Sequence, residues 1–248
     1  MCVTCGCNDS DGRASSASER VETMVHAHPP TTDLLAIEER VLARNDHLAA
    51  HNRAWLERRG IRAVNLMSSP GSGKTSLLER TIAETSGRRE VCVIEGDQET
   101  AADAERIARA GANAVQVNTG AGCHLDASMV ERALGSLDPV EGSLLFVENV
   151  GNLVCPALFD VGEHRRVVVV SVTEGDDKPL QYPQMFAAAD LVVVNKTDLL
   201  PYVDCDLDVV AKNARAVNPG VDVLPLSVRH GSGMDAWYAW LDRISDTP

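Results

Sequence analysis

The segment SSPGSGKTS, residues 68–76, places a glycine-rich turn between an apolar run and an amphipathic one. Such a turn can aim the backbone N–H groups of Gly71, Ser72, Gly73 and Lys74 at an anion, with the positive end of the following helix behind them. Gly71 and Gly73 permit the close approach and unusual dihedrals this needs. Lys74 can then reach β- and γ-phosphates, the Thr75 hydroxyl can ligate Mg²⁺, and Ser76 extends the first helical turn beside them. The usual pattern is G-x-x-x-x-G-K-[ST]; here Ser68 stands where the first glycine belongs. Mg²⁺ takes oxygen ligands in an octahedron, so a carboxylate is expected close by. Asp97 follows the apolar run VCVIEG and Glu148 ends SLLFVE, with Glu95 a lesser candidate.

A second cluster is NKTD, at the end of LVVVNK. An aspartate there accepts from both the ring N–H and the exocyclic amine of guanine, and adenine offers no matching pair of donors. Asp198 would read the base, Asn195 would bridge base and loop, and the stem of Lys196 would cover the ring. Ser227 and Val228, after the next apolar run, would add backbone contacts. A phosphate loop followed by N-K-x-D points to GTP and GDP as ligands. No residue announces itself as the group that positions water, so slow turnover is expected.

A third cluster is softer. Cys123 and His124 adjoin in NTGAGCHLDA, and Cys155 follows the Glu148 loop. Thiolate with imidazole suits Zn²⁺, Ni²⁺ or Cu⁺ better than Mg²⁺ or Ca²⁺. Asp126 could orient His124 or complete the shell. Two thiols and one imidazole leave tetrahedral coordination incomplete, which a site shared across a two-fold interface would repair. Cys2, Cys5 and Cys7 lie on a stretch too short and polar to fold alone. Cys92, inside an apolar run, reads as core, and Cys205 as incidental.

These groups need a frame. After Gly60 the chain alternates strand-like runs (AVNLMS, VCVIEG, AVQVN, SLLFVENV, RVVVVSV, LVVVNK, DVLPLSV) with helical patterns, and several strands are apolar on both faces. That predicts an α/β fold, a doubly wound and mostly parallel sheet covered by helices on each side. The candidate groups all follow strand ends, the edge where such sheets bind ligands. Residues 1–30 read as a flexible tail, 31–60 as a helix packed on the domain, and 61–248 as the nucleotide-binding domain. In the helix, Leu34, Val41, Leu48 and Trp55 recur every seven residues, with Ile37 completing an apolar seam.

The 248 residues carry a net charge of −13, which argues against a nucleic-acid partner. No apolar run approaches the roughly 18 residues of a membrane span, and the first residues lack a secretory pattern. A cytoplasmic, reducing location is expected, where the seven cysteines serve as thiols or metal ligands.

In order along the chain, CVTCGC, SSPGSGKT, EGDQET, NTGAGCHLDA, ENVGNLVCPALFDVGE, EGDDKPLQYP and NKTDLLP resemble the HypB family of nickel-incorporation GTPases, in the SIMIBI class of P-loop proteins. The resemblance implies a metallochaperone that binds nickel, hydrolyses GTP slowly and forms a homodimer with nucleotide. With a HypA-type accessory protein it would load Ni²⁺ into the large subunit of [NiFe]-hydrogenase. It implies that Cys123, His124 and Cys155 hold Ni²⁺ or Zn²⁺ near the dimer interface, and that Cys2, Cys5 and Cys7 form an N-terminal nickel site. Ser69 stands where many SIMIBI proteins carry an extra lysine, so activation by that lysine is not expected. One rival is the urease-type nickel GTPase, whose Cys-Pro-His motif differs from the adjacent Cys123 and His124. The other is a non-catalytic metal-storage or sensing protein, against which Lys74, Thr75 and Asp198 speak.

Overall fold

The computed structural model describes residues 32–97, 102–120 and 122–246. Cys2, Cys5, Cys7 and the expected tail lie outside them. The elements run α1 (Thr32–Arg58), β1 (Arg62–Ser68), α2 (Lys74–Thr85), β2 (Val91–Asp97), α3 (Ala102–Ala110), β3 (Asn113–Asn118), α4 (Ala127–Leu137), β4 (Leu144–Gly151), α5 (Cys155–Leu158), β5 (Arg165–Ser171), α6 (Lys178–Gln181), α7 (Pro183–Ala187), β6 (Leu191–Asn195), α8 (Leu207–Val217), β7 (Asp222–Pro225) and α9 (Met234–Asp246). The strands form one seven-stranded sheet in the order β3-β2-β4-β1-β5-β6-β7. Every pairing is parallel, so the expected doubly wound sheet is parallel throughout the described residues.

Strand period sorts the core into two faces. Val64, Leu66, Val93, Phe146, Val167, Val169 and Val193 face one side, with Leu77 and Leu78 of α2 and Trp237 and Trp240 of α9. Their neighbours in sequence face the other. Ala63, Cys92, Ile94, Leu145 and Val147 meet α1 and α4, while Val168, Val170, Val192 and Val194 meet α7 and α8. Cys92 is core, as its setting predicts. Trp237, fully buried, donates its indole N–H to Thr81 Oγ1 at 2.9 Å and ties α9 to α2. The run LQYPQMFAAA is two short helices, not one, because Pro183 starts α7 and Tyr182 breaks the geometry between them.

The seam of α1 also differs from expectation. Ile37 and Val41 are exposed, and the buried row is Asn45, Ala49, Asn52 and Leu56, one position further round the helix. Polar bonding decides this. Asn45 Nδ2 donates to the Asp160 carbonyl at 2.7 Å and its Oδ1 accepts from Ala127 N at 2.9 Å. Asn52 Nδ2 donates to the carbonyls of Ala127 and Val161 at 2.8 and 3.1 Å. Buried backbone groups at the start of α4 and before β5 thus find partners on α1. Arg53 Nη2 adds bonds of 2.7 Å to both carboxylate oxygens of Asp160. No helix among the described residues is long and apolar enough to cross a membrane.

Gly162 is the tightest point of this dock: φ is +96°, and a Cβ would stand 2.6 Å from Asn52 Cβ and 2.8 Å from the Ala49 carbonyl. Gly162→Ala is therefore expected to destabilise the protein by about 1–3 kcal/mol, read as a lowered urea midpoint.

Candidate functional site

Because the strands are parallel, Ser68, Asp97, Gly151 and Asn195 end on one rim. A cavity of about 560 Å³ opens there, lined by the loop Pro70–Ser76, by Glu95, Gly96 and Asp97, by Asp103 and Arg106 of α3, by Glu148–Gly151 and by Lys196. Its size suits a nucleotide-scale ligand. Gly73, left-handed at φ +101°, is the residue that leads the loop into α2.

The structure gives Ser68 a role that the motif pattern does not. Lys74 Nζ donates to Ser68 Oγ at 2.7 Å, so the hydroxyl in place of the first glycine anchors the loop lysine. Burial lowers the Lys74 pKa, against the raising pull of Glu148. The Thr75 hydroxyl lies 2.7 Å from Glu148 Oε1 and 3.1 Å from Asp103 Oδ2. Glu148 is buried, and burial raises its pKa against the opposing effects of Lys74 and Thr75. Of the two expected carboxylates, Glu148 meets Thr75, whereas Asp97 lines the cavity at the end of β2. Asp103 was missed by sequence reasoning. Its only signal is a place in the first turn of α3, and a fold of the chain 28 residues long brings it to Thr75. Arg106, one turn on, pairs with Asp103 at 2.9 Å and Glu79 at 2.6 Å and lines the same cavity.

Three buried oxygens of this cavity have no hydrogen-bond partner: Ser72 Oγ, Glu95 Oε2 and Glu148 Oε2. Buried polar atoms are rarely left so, and their presence in one cavity fits an oxygen-ligated cation with an anion on the loop amides. The Ser69 hydroxyl donates to the Glu174 carboxylate.

The N-K-x-D residues are drawn onto the phosphate loop. Asn195 is buried; its Nδ2 donates to the Ser72 carbonyl at 2.9 Å, and a Cβ on Gly73 would strike that nitrogen at 2.5 Å. Lys196, left-handed at φ 61°, donates Nζ to the Gly71 carbonyl at 2.7 Å. Asp198 is half-buried, and its carboxylate accepts from Ser227 Oγ at 2.5 Å, which lowers its pKa. Val228 N donates to Asn195 Oδ1 at 3.2 Å and Ser227 Oγ donates to Asp198, so both residues bond the motif's side chains.

Cys123, His124 and Cys155 come together from the loop before α4 and the first turn of α5. Their ligand atoms all lie within 4.8 Å of one another. The two sulfurs are 2.8 Å apart, Cys123 Sγ donating to Cys155 Sγ. The His124 ring stacks on Phe159, centroids 3.9 Å apart, and burial lowers its pKa. A neutral imidazole beside two thiols is a donor set for a soft or borderline cation, three ligands among the described residues where tetrahedral coordination takes four. Asp126 does not join it as a ligand: its carboxylate caps α4, accepting from Met129 N at 2.7 Å.

Glu95 faces Glu148 across the β2–β4 pairing, and burial, with Glu148 and Asp97 nearby, raises its pKa from 4.5 to about 8. Between those values the folded chain holds a proton that the unfolded chain has released, so stability falls as pH rises from 4.5 towards 8. Without metal or nucleotide, Glu95→Gln is expected to raise the urea midpoint over the parent protein at pH 8 and to leave it nearly level at pH 5.

Residues 62–225 match the family model described as CobW/HypB/UreG, nucleotide-binding domain. The chain is 56% identical to the hydrogenase maturation factor HypB of Azotobacter vinelandii, over 89% of its own length and 74% of the relative's. Among solved structures it is similar to HypB from Archaeoglobus fulgidus, with a TM-score of 0.77 and 41% identity over 82% of this chain and 100% of that one. It is similar as well to HypB from Helicobacter pylori, solved in complex with nickel, with a TM-score of 0.76 and 36% identity over 82% and 95%. Phosphate loop, guanine-type motif and thiol–imidazole cluster on one parallel rim agree with these matches, and the chain belongs to the CobW/HypB/UreG family of nucleotide-binding proteins, on its HypB branch.

Proposed function

We propose that this protein is a GTP-hydrolysing nickel metallochaperone of hydrogenase maturation. The observation that carries the reading is the run from Glu148 to Cys155, which starts at a carboxylate bonded to Thr75 and ends at a thiol beside Cys123. Nucleotide and soft cation thus share one short segment of chain.

In this reading the loop amides and Lys74 hold the β- and γ-phosphates of GTP, and Asp198 and Asn195 hold the guanine. Thr75, Glu148 and Asp103 would hold Mg²⁺, with Asp97 at the rim; bound there, the ion neutralises charge developing on the phosphoryl oxygens. Lys74 would leave Ser68 for the phosphates. The cargo Ni²⁺, or Zn²⁺, would take Cys123, His124 and Cys155, with the fourth position filled by a second copy of the chain in a nucleotide-dependent homodimer. Cys2, Cys5 and Cys7 would capture nickel before it reaches that site. A HypA-type accessory protein would be the partner and the [NiFe]-hydrogenase large subunit the destination. Support comes from the donor sets and from the names carried by the HypB relatives.

Lys74→Ala should lower phosphate release from GTP about 100-fold or more, since it removes a charged donor aimed at the transferring group. Asp198→Asn replaces one acceptor with a donor, so affinity should fall about 100-fold for guanine nucleotides and rise for xanthine nucleotides, tested with fluorescent analogues. Cys155→Ala should cost more Ni²⁺ affinity than the roughly 10–100-fold typical of losing an outer-shell partner, measured by chelator competition on reduced protein.

A further inference from the structure

Glu148 and Asn149 are consecutive in β4, so their side chains leave the sheet on opposite faces. Glu148 reaches Thr75 on one face. Asn149, 1% exposed, reaches the metal loop on the other, where its Oδ1 accepts from Leu125 N at 3.0 Å. Leu125 is the residue after His124. The same Oδ1 accepts from Val150 N at 3.0 Å, and Nδ2 donates to Asn65 Oδ1 at 3.3 Å. Asn65 Nδ2 in turn donates to the buried Glu163 at 3.2 Å, so the amide of Asn149 is fixed from both ends.

Leu125 is held from a second side. Its side chain is fully buried and rests against Gly96, where a Cβ would lie 2.7 Å from Leu125 Cγ and 2.8 Å from Cδ1. Gly96 carries no positive φ, so what selects glycine is the space Leu125 occupies. Gly96 sits between Glu95 and Asp97, both in the wall of the nucleotide cavity. The residue bonded in sequence to His124 is thus wedged between the ends of β2 and β4, each of which carries cavity carboxylates.

From this geometry we infer that Asn149 and Leu125 form a non-covalent latch through which the nucleotide cavity and the thiol–imidazole cluster report to each other, Asn149 acting as a positioning residue for His124. The inference rests on the function proposed above and adds a route to the covalent Glu148–Cys155 run. A buried N–H that loses its acceptor is penalised, so a shift of β4 at Glu148 carries Leu125, and with it His124, relative to Cys155. Packing against Gly96 does the same for a shift of the β2 end. Linkage makes the effect reciprocal.

The test is the ratio of fluorescent-GDP affinities with and without Ni²⁺, measured on the full reduced chain with Mg²⁺ present. The ratio is internal to each variant, so a uniform change in nucleotide affinity does not alter it. The parent protein is expected to give a ratio of about 5 or more. Asn149→Ala should bring it within twofold of one. Asn149→Asp, which keeps an oxygen for Leu125 N–H, should retain most of it. Gly96→Ala, whose added methyl displaces Leu125, should change the ratio at least threefold and serves where Asn149→Ala melts early. A folded Asn149→Ala or Gly96→Ala protein with the parental ratio overturns the latch alone. A parental ratio of one, with both ligands bound, overturns the latch and the proposed coupling together, and failure of the parent to bind GDP or Ni²⁺ overturns the function itself.

Discussion

Strand direction is the constraint from which the rest follows. Seven parallel strands send their C-terminal ends to one rim, and each strand end there is a point where backbone leaves the ladder and side chains become available. The order β3-β2-β4-β1-β5-β6-β7 puts β1, with its phosphate loop, between β4 and β5. Glu148 is therefore adjacent to Thr75, and β6 lies one strand further on, close enough for Asn195 and Lys196 to bond the loop's carbonyls. An antiparallel strand at any of these places would send its terminal residues to the far edge.

The rim concentrates charge that the chain's own groups do not fully satisfy. Glu95 and Glu148 face each other in register, Asp103 and Asp97 flank them, and Lys74 is the buried cation among them. Burial acts in opposite senses on the two kinds of group, raising the carboxyls and lowering the ammonium, as expected when water is withdrawn from both. Such a cluster is costly unless ions complete it. The unpartnered oxygens of Ser72, Glu95 and Glu148 record the same deficit in hydrogen-bond terms.

The softer cluster is built on the opposite face of the same strand ends. Cys123 and His124 come from the loop leading to α4, Cys155 from the first turn of α5, and α1 braces the segments around both. Asn45 and Asn52 bond the start of α4 and the backbone before β5, and Arg53 holds Asp160, next to the Phe159 ring that stacks on His124. The helix α1 is therefore part of the scaffold of the thiol–imidazole cluster, not an appendage to it. Its polar buried row explains why the apolar residues Ile37 and Val41 remain on the surface.

Local patterns survive in sequence because their physics is local. A glycine turn before Lys74-Thr75, a motif of four residues at Asn195–Asp198 and apolar strands of five to eight residues each specify their own backbone, so the doubly wound fold, the cavity's floor and the two cysteine loops were legible before any coordinates. What required the folded molecule are bonds between distant residues. The approach of Asp103 to Thr75, the use of Ser68 as an anchor for Lys74, the rotation of the α1 face towards its asparagines, and the bond from Asn149 to Leu125 depend on separations and register that no short window encodes. Residue type and spacing fixed which chemistries were available to this chain; packing of the sheet decided which of those groups touch, because hydrogen bonds act over about 3 Å and only tertiary structure sets distances on that scale.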